Sequence, residues 1–282
     1  MNVIKNLIPS RFYSNKLEIP VVRLHGTIMA SASPVACTLS LAKCANLLEK
    51  AFAYKKAPAV ALIVNSPGGS PVQSHLIFKR IRDLAKEKNK QVFVFIEDVA
   101  ASGGYMIACA GDEIFADPSS IVGSIGVVSA SFGFPELLKK IGVERRVYTA
   151  GKNKATLDPF QPEKKADVEH LKSLQLGVHQ TFIDLVKERR AAKLSDDSDI
   201  FTGMFWSGKK GVELGLIDGL SDVFSVLKER FGEDIKLRLI APSKGLLGPK
   251  VPSGVTAQAV YTAVDSAFMV AEERSLWRRY GL

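Results

Sequence analysis

Ser102 lies in a run of small residues, 100–104 (AASGG), shortly after an apolar stretch at residues 91–96 (QVFVFI). This order predicts a strand, a tight turn and the start of a helix, because small residues let other backbone approach closely. A helix start also offers unpaired backbone N–H groups, which could hold an oxyanion while the serine attacks a carbonyl. The chemistry predicted is acyl transfer; the alternative is a packed turn that carries no reaction.

A pair of glycines, Gly68 and Gly69, ends a second strand-like stretch at residues 59–69 (AVALIVNSPGG). A helical pattern over residues 73–84 follows, so the glycines open a helix directly after a strand. This arrangement suits an oxyanion hole as well as a tight turn.

A serine hydroxyl needs a neighbouring base before it becomes a good nucleophile. No histidine lies between His75 and His170, and His170 and His179 are expected to be surface or core residues of a long helix. His75 is a weak alternative base. A lysine can serve if burial lowers the pKa of its amine from about 10.4 towards neutrality. Lys152 and Lys154 share one turn, and their spacing alone does not decide between them.

Four segments in combination resemble the signal peptide peptidase A family of Ser–Lys peptidases. They are NSPGG, AASGG, residues 116–127 (ADPSSIVGSIGV) and residues 148–160 (YTAGKNKATLDPF). The resemblance extends over residues 21–239. It implies an α/β fold of the Clp/crotonase-like type, a spiral of parallel strands covered by helices.

The same resemblance implies a role for each matching residue. Ser102 would be the nucleophile and Lys154 the general base, since the lysine of the family precedes a Pro-Phe pair. The lysine amine would be oriented by Ser124. The oxyanion hole would be formed by the N–H group of Gly103 together with that of Gly68 or Gly69.

Extended peptides are the substrates that this resemblance implies, and remnant signal peptides or membrane-derived fragments are the expected class. The apolar segment 121–128 is a candidate wall for such a peptide; the predicted binding residues are Ile121, Val122, Gly123, Ile125 and Gly126. A crotonase-type acyl-CoA enzyme is an alternative, but it would normally use a carboxylate base. A non-catalytic scaffold of the same fold is the third interpretation.

Alternating strand and helix patterns predict a parallel sheet with covering helices. We divide the chain into an N-terminal arm (1–18), a peptidase domain (19–240), a linker rich in proline and glycine (241–254) and a C-terminal amphipathic helix (255–282). The predicted elements include a short strand at residues 144–148 and a long helix at residues 165–190. The family forms rings, so we expect a tetramer or octamer whose C-terminal helices pack between subunits or rest on a membrane surface.

The composition excludes several classes of site. The net charge is +9, but the basic residues are dispersed, so we expect no nucleic-acid partner. Scattered histidines without metal-ligand spacing predict no metal, and no cofactor is expected. Cys37, Cys44 and Cys109 are predicted to be reduced core residues. We find no convincing signal peptide or membrane span, although the family usually has an N-terminal anchor. The expected location is therefore the cytoplasm or the surface of the inner membrane.

Overall fold

A computed structural model describes residues 16–30, 37–241, 270–271 and 273–282. Its centre is a mostly parallel sheet, because apolar runs that can be buried on both faces alternate with helices along the chain. The strands are β1 (Glu18–His25), β2 (Thr27–Ile28), β3 (Thr38–Leu39), β4 (Ala59–Ser66), β5 (Gln91–Ala101), β6 (Glu113–Ala116), β7 (Ile121–Gly123), β8 (Phe205–Ser207), β9 (Gly219–Leu220) and β10 (Lys236–Leu239).

Helices connect these strands and cover the sheet. They are α1 (Leu41–Phe52), α2 (Pro71–Lys88), α3 (Gly103–Ala108), α4 (Pro135–Lys140), α5 (Lys165–Arg190), α6 (Gly208–Glu213) and α7 (Val223–Phe231), with short 3-10 turns at Ala191–Lys193 and Ser198–Phe201. Local sequence fixes several of their ends. Helix α2, for example, starts where the Ser70 hydroxyl accepts the N–H of Gln73, and it ends at Asn89, which has a φ of 48°.

The large sheet has the order β10-β1-β4-β5-β6-β9, and β7 pairs with both β5 and β8. Strand β5 changes partner along its length. Its first half pairs with β6, whereas Val99 to Ala101 pair in parallel with β7. Next to this change, the β4–β5 register shifts by two residues, and the side chain of Asn65 fills the gap. Its amide donates to Asp98 at 2.6 Å and accepts the N–H of Val99 at 3.2 Å.

Side chains alternate between the two faces of the central strands. On β4 and β5, the even-numbered Val60, Leu62, Val92 and Val94 join the larger core beneath α1, α2, α3 and α5. The odd-numbered residues at the start of these strands pack against α7. Beyond the register shift, the odd-numbered residues Val99 and Ala101 of β5 pack instead against Trp277 and Tyr280. On this face, therefore, α7 covers the first half of β5, whereas Trp277 and Tyr280 cover the second half.

The predicted α/β fold with a parallel sheet is confirmed, and α5 has the predicted bounds. Residues 144–148 form no strand; they are exposed and have no neighbouring strand to pair with among the described residues, so that prediction was wrong. Cys37 is exposed rather than in the core, whereas Cys44 and Cys109 are buried. Most of the predicted arm, the linker beyond residue 241 and most of the C-terminal helix lie outside the described residues, and the domain boundaries stay predictions.

Candidate active site

Ser102 lies at the end of β5 and caps helix α3. Its φ of 51° and ψ of −123° are unusual for a residue other than glycine and correspond to strain of about 1–3 kcal/mol. Hydrogen bonds hold the backbone on both sides of the turn. The Ser102 N–H donates to the Gly123 carbonyl at 2.8 Å, and the Ser102 carbonyl accepts the N–H of Met106 at 3.0 Å. The serine is thereby half-buried at the mouth of a cavity.

Glycines surround Ser102, and neighbouring backbone and side-chain atoms leave no room there for larger residues. Gly68 has a φ of 101°, and a Cβ atom there would lie 2.8 Å from both the Ala101 carbonyl oxygen and the Ser102 Cβ. A Cβ on Gly103 would lie 2.2 Å from the Ser74 hydroxyl of α2. The loop after β4 and the start of α2 therefore pack directly against the turn.

Backbone donors lie beside the serine. The Gly103 N–H belongs to the first turn of α3, where helical N–H groups have no partner within the helix. The N–H of Gly68 donates to the Ser66 hydroxyl at 3.2 Å, whereas that of Gly69 has no hydrogen-bond partner among the described residues. Gly69 and Gly103 both line the cavity next to Ser102. Of the two glycines that the sequence left open, Gly69 is thus the one with a free donor.

Ser124 comes to the same cavity because β7 pairs in parallel with the end of β5. Both serines directly follow their strands, so both emerge at the same edge of the sheet. Ser124 has a φ of 54°, and its N–H donates to the Met204 carbonyl at 2.7 Å. Its hydroxyl is buried and accepts the Tyr280 hydroxyl at 3.3 Å. Ser124 is therefore held in place from both sides.

The cavity has a volume of about 730 Å³. Helix α5 contributes Val178 and Phe182 to its wall, the loop after the second 3-10 turn contributes Thr202 and Gly203, and further lining residues include Met29, Met106, Val127, Val128, Leu276 and Arg279. Among the described residues that line it, Arg279 is the one with a charge. The neutral and apolar walls suit an extended peptide better than a highly charged ligand.

The predicted substrate-binding segment divides into core and cavity residues. The side chains of Val122 and Ile125 are fully buried in the main core, and Gly123 lies against the ring of Trp206. Ile121 packs beside the cluster of Val99 and Ala101. Gly126 lines the cavity together with the two valines after it. Of the five predicted binding residues, Gly126 thus lines the cavity that contains Ser102, whereas Ile121, Val122, Gly123 and Ile125 do not.

Lys154 is not brought to Ser102 within the chain. It is exposed in a turn where its N–H donates to the Gly151 carbonyl at 3.2 Å, and it is not one of the residues that line the cavity. Lys152 is exposed in the same turn. The alternative base His75 is also exposed and stacks on Phe78. The nucleophile and the predicted base thus lie in separate surroundings.

Two contacts at the site were missed by the sequence analysis. His179 forms a hydrogen bond with the Ile125 carbonyl at 3.0 Å, and Tyr280 contacts Ser124. The aromatic and basic end of the chain, WRRY, was visible in the sequence, but no spacing connects it with residues more than 150 positions earlier.

A buried polar network supports the helix that follows Ser102. The Tyr105 hydroxyl donates to the Leu216 carbonyl at 2.7 Å, and burial holds its pKa well above the usual value. Arg190 is 2% exposed and pairs with Asp218 at 2.8 Å. Burial favours a raised pKa for the Asp218 carboxyl, but hydrogen bonds from Arg190 and Lys193 outweigh it and lower the pKa. The network fixes α3 against α5 and the segment after α6.

Within the ranges that the structure describes, no group of three His, Cys, Asp or Glu side chains is placed to bind a metal ion. The helices in these same ranges include none with the length and hydropathy of a membrane span.

Comparison with known protein sequences gives three findings. The sequence profile described as Peptidase family S49 matches residues 84–232. A protein of Brucella melitensis biotype 1 named Na(+)/H(+) antiporter NhaA is 64% identical over 287 residues, which cover 99% of this chain and 39% of that protein. The chloroplastic serine protease SPPA of Arabidopsis thaliana is 30% identical over 255 residues, with 86% of this chain and 37% of that protein covered. The chain thus spans less than two-fifths of the length of these two relatives.

Among solved structures, a mutant of the membrane-bound stomatin-specific protease 1510-N aligns with a TM-score of 0.47 and 14% sequence identity. The alignment covers 81% of this chain and 99% of that protein.

Proposed function

We propose that this chain, which belongs to peptidase family S49, is a serine endopeptidase with Ser102 as its nucleophile. The observation that carries the proposal is the backbone of Ser102, strained at the end of β5 beside the Gly69 and Gly103 N–H groups. A strained turn after a strand is a common way to expose a nucleophilic serine next to oxyanion donors. The parallel sheet covered by helices agrees with the Clp/crotonase-like fold.

The proposed reaction has two acyl-transfer steps. A neutral lysine amine takes the proton of the Ser102 hydroxyl while the oxygen attacks the peptide carbonyl. The N–H groups of Gly69 and Gly103 stabilise the oxyanion, and the lysine ammonium returns the proton to the departing amine. Water, deprotonated by the same lysine, then attacks the ester; the acid product leaves, and the lysine ammonium returns the proton to the Ser102 oxygen. Loss of one oxyanion donor would raise the barrier by about 3 kcal/mol.

We assign the base to Lys154, and we propose that an assembly brings it to the cavity. The segment that bears it, residues 127–164, exposes many large apolar side chains, among them Val128, Phe132, Leu137, Ile141 and Tyr148. Such a surface is typical of a protein interface. We propose a homo-oligomeric ring of four or eight chains in which this surface is covered and Lys154 meets Ser102 and Ser124.

The proposed substrates are extended peptides, with remnant signal peptides or membrane-derived fragments as the expected class. The neutral walls of the cavity and its apolar valines support this choice. Antiport, which appears in the name of the much longer Brucella protein, forms no part of the proposal. The proposed location is the cytoplasm or the inner membrane surface, and fractionation of cells would test it.

The nucleophile can be identified by mass spectrometry after treatment with a fluorophosphonate. We expect a phosphonyl adduct on Ser102, loss of the adduct in Ser102→Ala, and its retention in the exposed control Ser119→Ala. Labelling of Ser102→Ala at an unchanged level would contradict the assignment. A fluorogenic peptide and an enoyl-CoA, offered separately, distinguish the alternatives: hydration of the CoA ester without peptide cleavage would indicate a crotonase-type enzyme, and neither reaction would indicate a scaffold.

A further inference from the structure

Residues 273–282, here called the tail, are seated at the candidate active site. Residues 273–278 are helical, and the Tyr280 N–H donates to the Trp277 carbonyl at 2.9 Å in the turn that follows. Residues three apart on a helical turn lie on one face, so Trp277 and Tyr280 point to the same side. That side faces the second half of β5, the strand that ends at Ser102.

Tyr280 is the most enclosed side chain of the tail and is 8% exposed. Its ring packs against Val99 and Ala101 and meets the ring of Phe205 edge-on, at 5.1 Å between centroids. Its hydroxyl donates to the Ser124 hydroxyl at 3.3 Å. These neighbours form a groove beside the nucleophile, called here the tail groove: Val99, Ala101, Ile121, Ser124 and Phe205.

Other tail residues make independent contacts with the site. The ring of Trp277 lies 5.7 Å from that of His25 at the end of β1, where the buried His25 Nδ1 has no hydrogen-bond partner. Leu276 and Arg279 line the cavity that contains Ser102. Arg279 is exposed to solvent and is the one charged side chain among the described residues that line this cavity. The tail therefore contacts both the groove and the cavity.

We propose that the tail groove is a binding site for an aromatic peptide turn with Trp and Tyr three residues apart, and that the tail of this chain shuts the active site by occupying it. This inference rests on the proposed function, in which the Ser124 hydroxyl orients the lysine amine. While Tyr280 donates to that hydroxyl, its side chain fills the space through which the amine must approach. Leu276 and Arg279 meanwhile occupy one wall of the substrate cavity. Departure of the tail frees both positions.

The first test compares cleavage of a fluorogenic peptide by full-length variants. Tyr280→Ala removes both the ring and the hydroxyl, and we expect kcat/KM to rise about threefold to tenfold as the open population grows. Tyr280→Phe keeps the ring and should give a smaller rise. Arg278→Ala, an exposed change on the same tail, should leave kcat/KM unchanged. An unchanged or lower kcat/KM for Tyr280→Ala would overturn the proposal if this variant unfolds at the same temperature as the original chain. The tail would then support the wall of the cavity and would not block the site.

The second test measures binding without relying on catalysis. A fluorescent peptide with the sequence of residues 273–282 is added to the double variant Ser102→Ala, Tyr280→Ala, and its anisotropy is followed. We expect saturable binding, and a much weaker signal for the same peptide with alanine in place of its tyrosine. We also expect the original peptide to inhibit the cleavage that the single variant Tyr280→Ala carries out. No binding would refute the groove. Binding by a chain that cleaves no peptide in any variant would support the groove and contradict the proposed function instead.

Discussion

The region around Ser102 and the segment that carries Lys154 differ in how they are held. Strands β4 and β5 and helix α3 are almost entirely buried, and close backbone contacts fix each residue of the turn. Residues 127–164, by contrast, contain a short helix, α4, with no buried residue. Tyr148 is 89% exposed and Phe132 81% exposed. On the proposed function, the fold of one chain thus holds the oxyanion donors and the nucleophile, whereas the base depends on contacts outside that chain.

The largest expected effect comes from the lysines of the exposed segment. Lys154→Ala should lower kcat/KM by about 10³-fold, because a positioned general base contributes on that scale. Lys152→Ala removes an equally exposed charge from the same turn and should change kcat/KM little. Steady-state cleavage of a fluorogenic peptide measures both. A larger loss for Lys152→Ala than for Lys154→Ala would assign the base to Lys152 and contradict the proposed role of Lys154.

Two carboxylates, one in each region, should differ strongly in their contribution to stability. Asp218→Asn leaves the buried Arg190 without its charged partner and should lower the free energy of unfolding by about 3 kcal/mol. Glu144→Gln, which breaks a solvent-exposed contact with Arg146 in the exposed segment, should leave global unfolding unchanged. Denaturant titrations of the two variants give both values. Equal losses would show that the exposed segment is part of the cooperative core.

The buried pair of Arg190 and Asp218 also predicts how the free energy of unfolding depends on pH. The pKa of Asp218 in the folded chain lies below its ordinary value of 3.8. Its contribution is therefore complete above that ordinary value and is lost as the pH falls through the lower, folded value. The difference in stability between the original chain and Asp218→Asn should be constant at neutral pH and shrink in acid. A difference that grows in acid would contradict this sign.

A smaller effect is expected from side chains added to glycines. Gly68→Ala should lower the free energy of unfolding by about 2 kcal/mol, since its Cβ would press on Ala101 and Ser102 at a φ of 101°. Activity should fall as well, because the added atom displaces the nucleophile. Gly142 has a φ of 69°, and a Cβ atom added there would have no other atom within 4 Å. Gly142→Ala therefore measures the cost of the backbone angle alone, in the exposed segment. Thermal unfolding should show a much smaller change for it.

The smallest effect concerns stored backbone strain. Ser102→Gly should be more stable than Ser102→Ala by about 1 kcal/mol, because glycine adopts a φ of 51° without strain. Leu157 has a similar φ of 55° in the exposed segment. Leu157→Gly and Leu157→Ala should unfold at the same denaturant concentration if that segment is held only locally. A clear difference between the Leu157 variants would show that strain there is also maintained by the core.

Much of the region around Ser102 could be predicted because its determinants are local. An apolar run followed by AASGG places a serine between a strand and a helix, and the alternation of strands and helices requires a parallel sheet. The ends of adjacent parallel strands then meet, which brings Ser102, Gly69 and Ser124 together. Helix α5 was predictable for the same reason, since apolar residues recur along it at close to helical spacing.

The remaining features depend on distant residues, so sequence patterns could not reveal them. Strands β7 and β8 have three residues each, too few for a periodic signal, yet they set the position of Ser124. The contact of Tyr280 with Ser124 joins residues 156 positions apart. Residues 144–148 (ERRVY) were predicted to form a strand, but pairing requires a neighbour that the described chain does not supply there.

The position of β1 has a consequence for how the chain folds. On one side β1 pairs with β4, its close successor, but on the other side it pairs with β10, and Lys16 contacts Asp234 across a sequence separation of 218 residues. Contacts of such separation form late, since closing a long loop costs more entropy than closing a short one. Until β10 arrives, the backbone of Ile19 to Val21 is an open, apolar edge. Such edges template pairing with other chains, so nascent or partly folded molecules are most prone to aggregation at this strand.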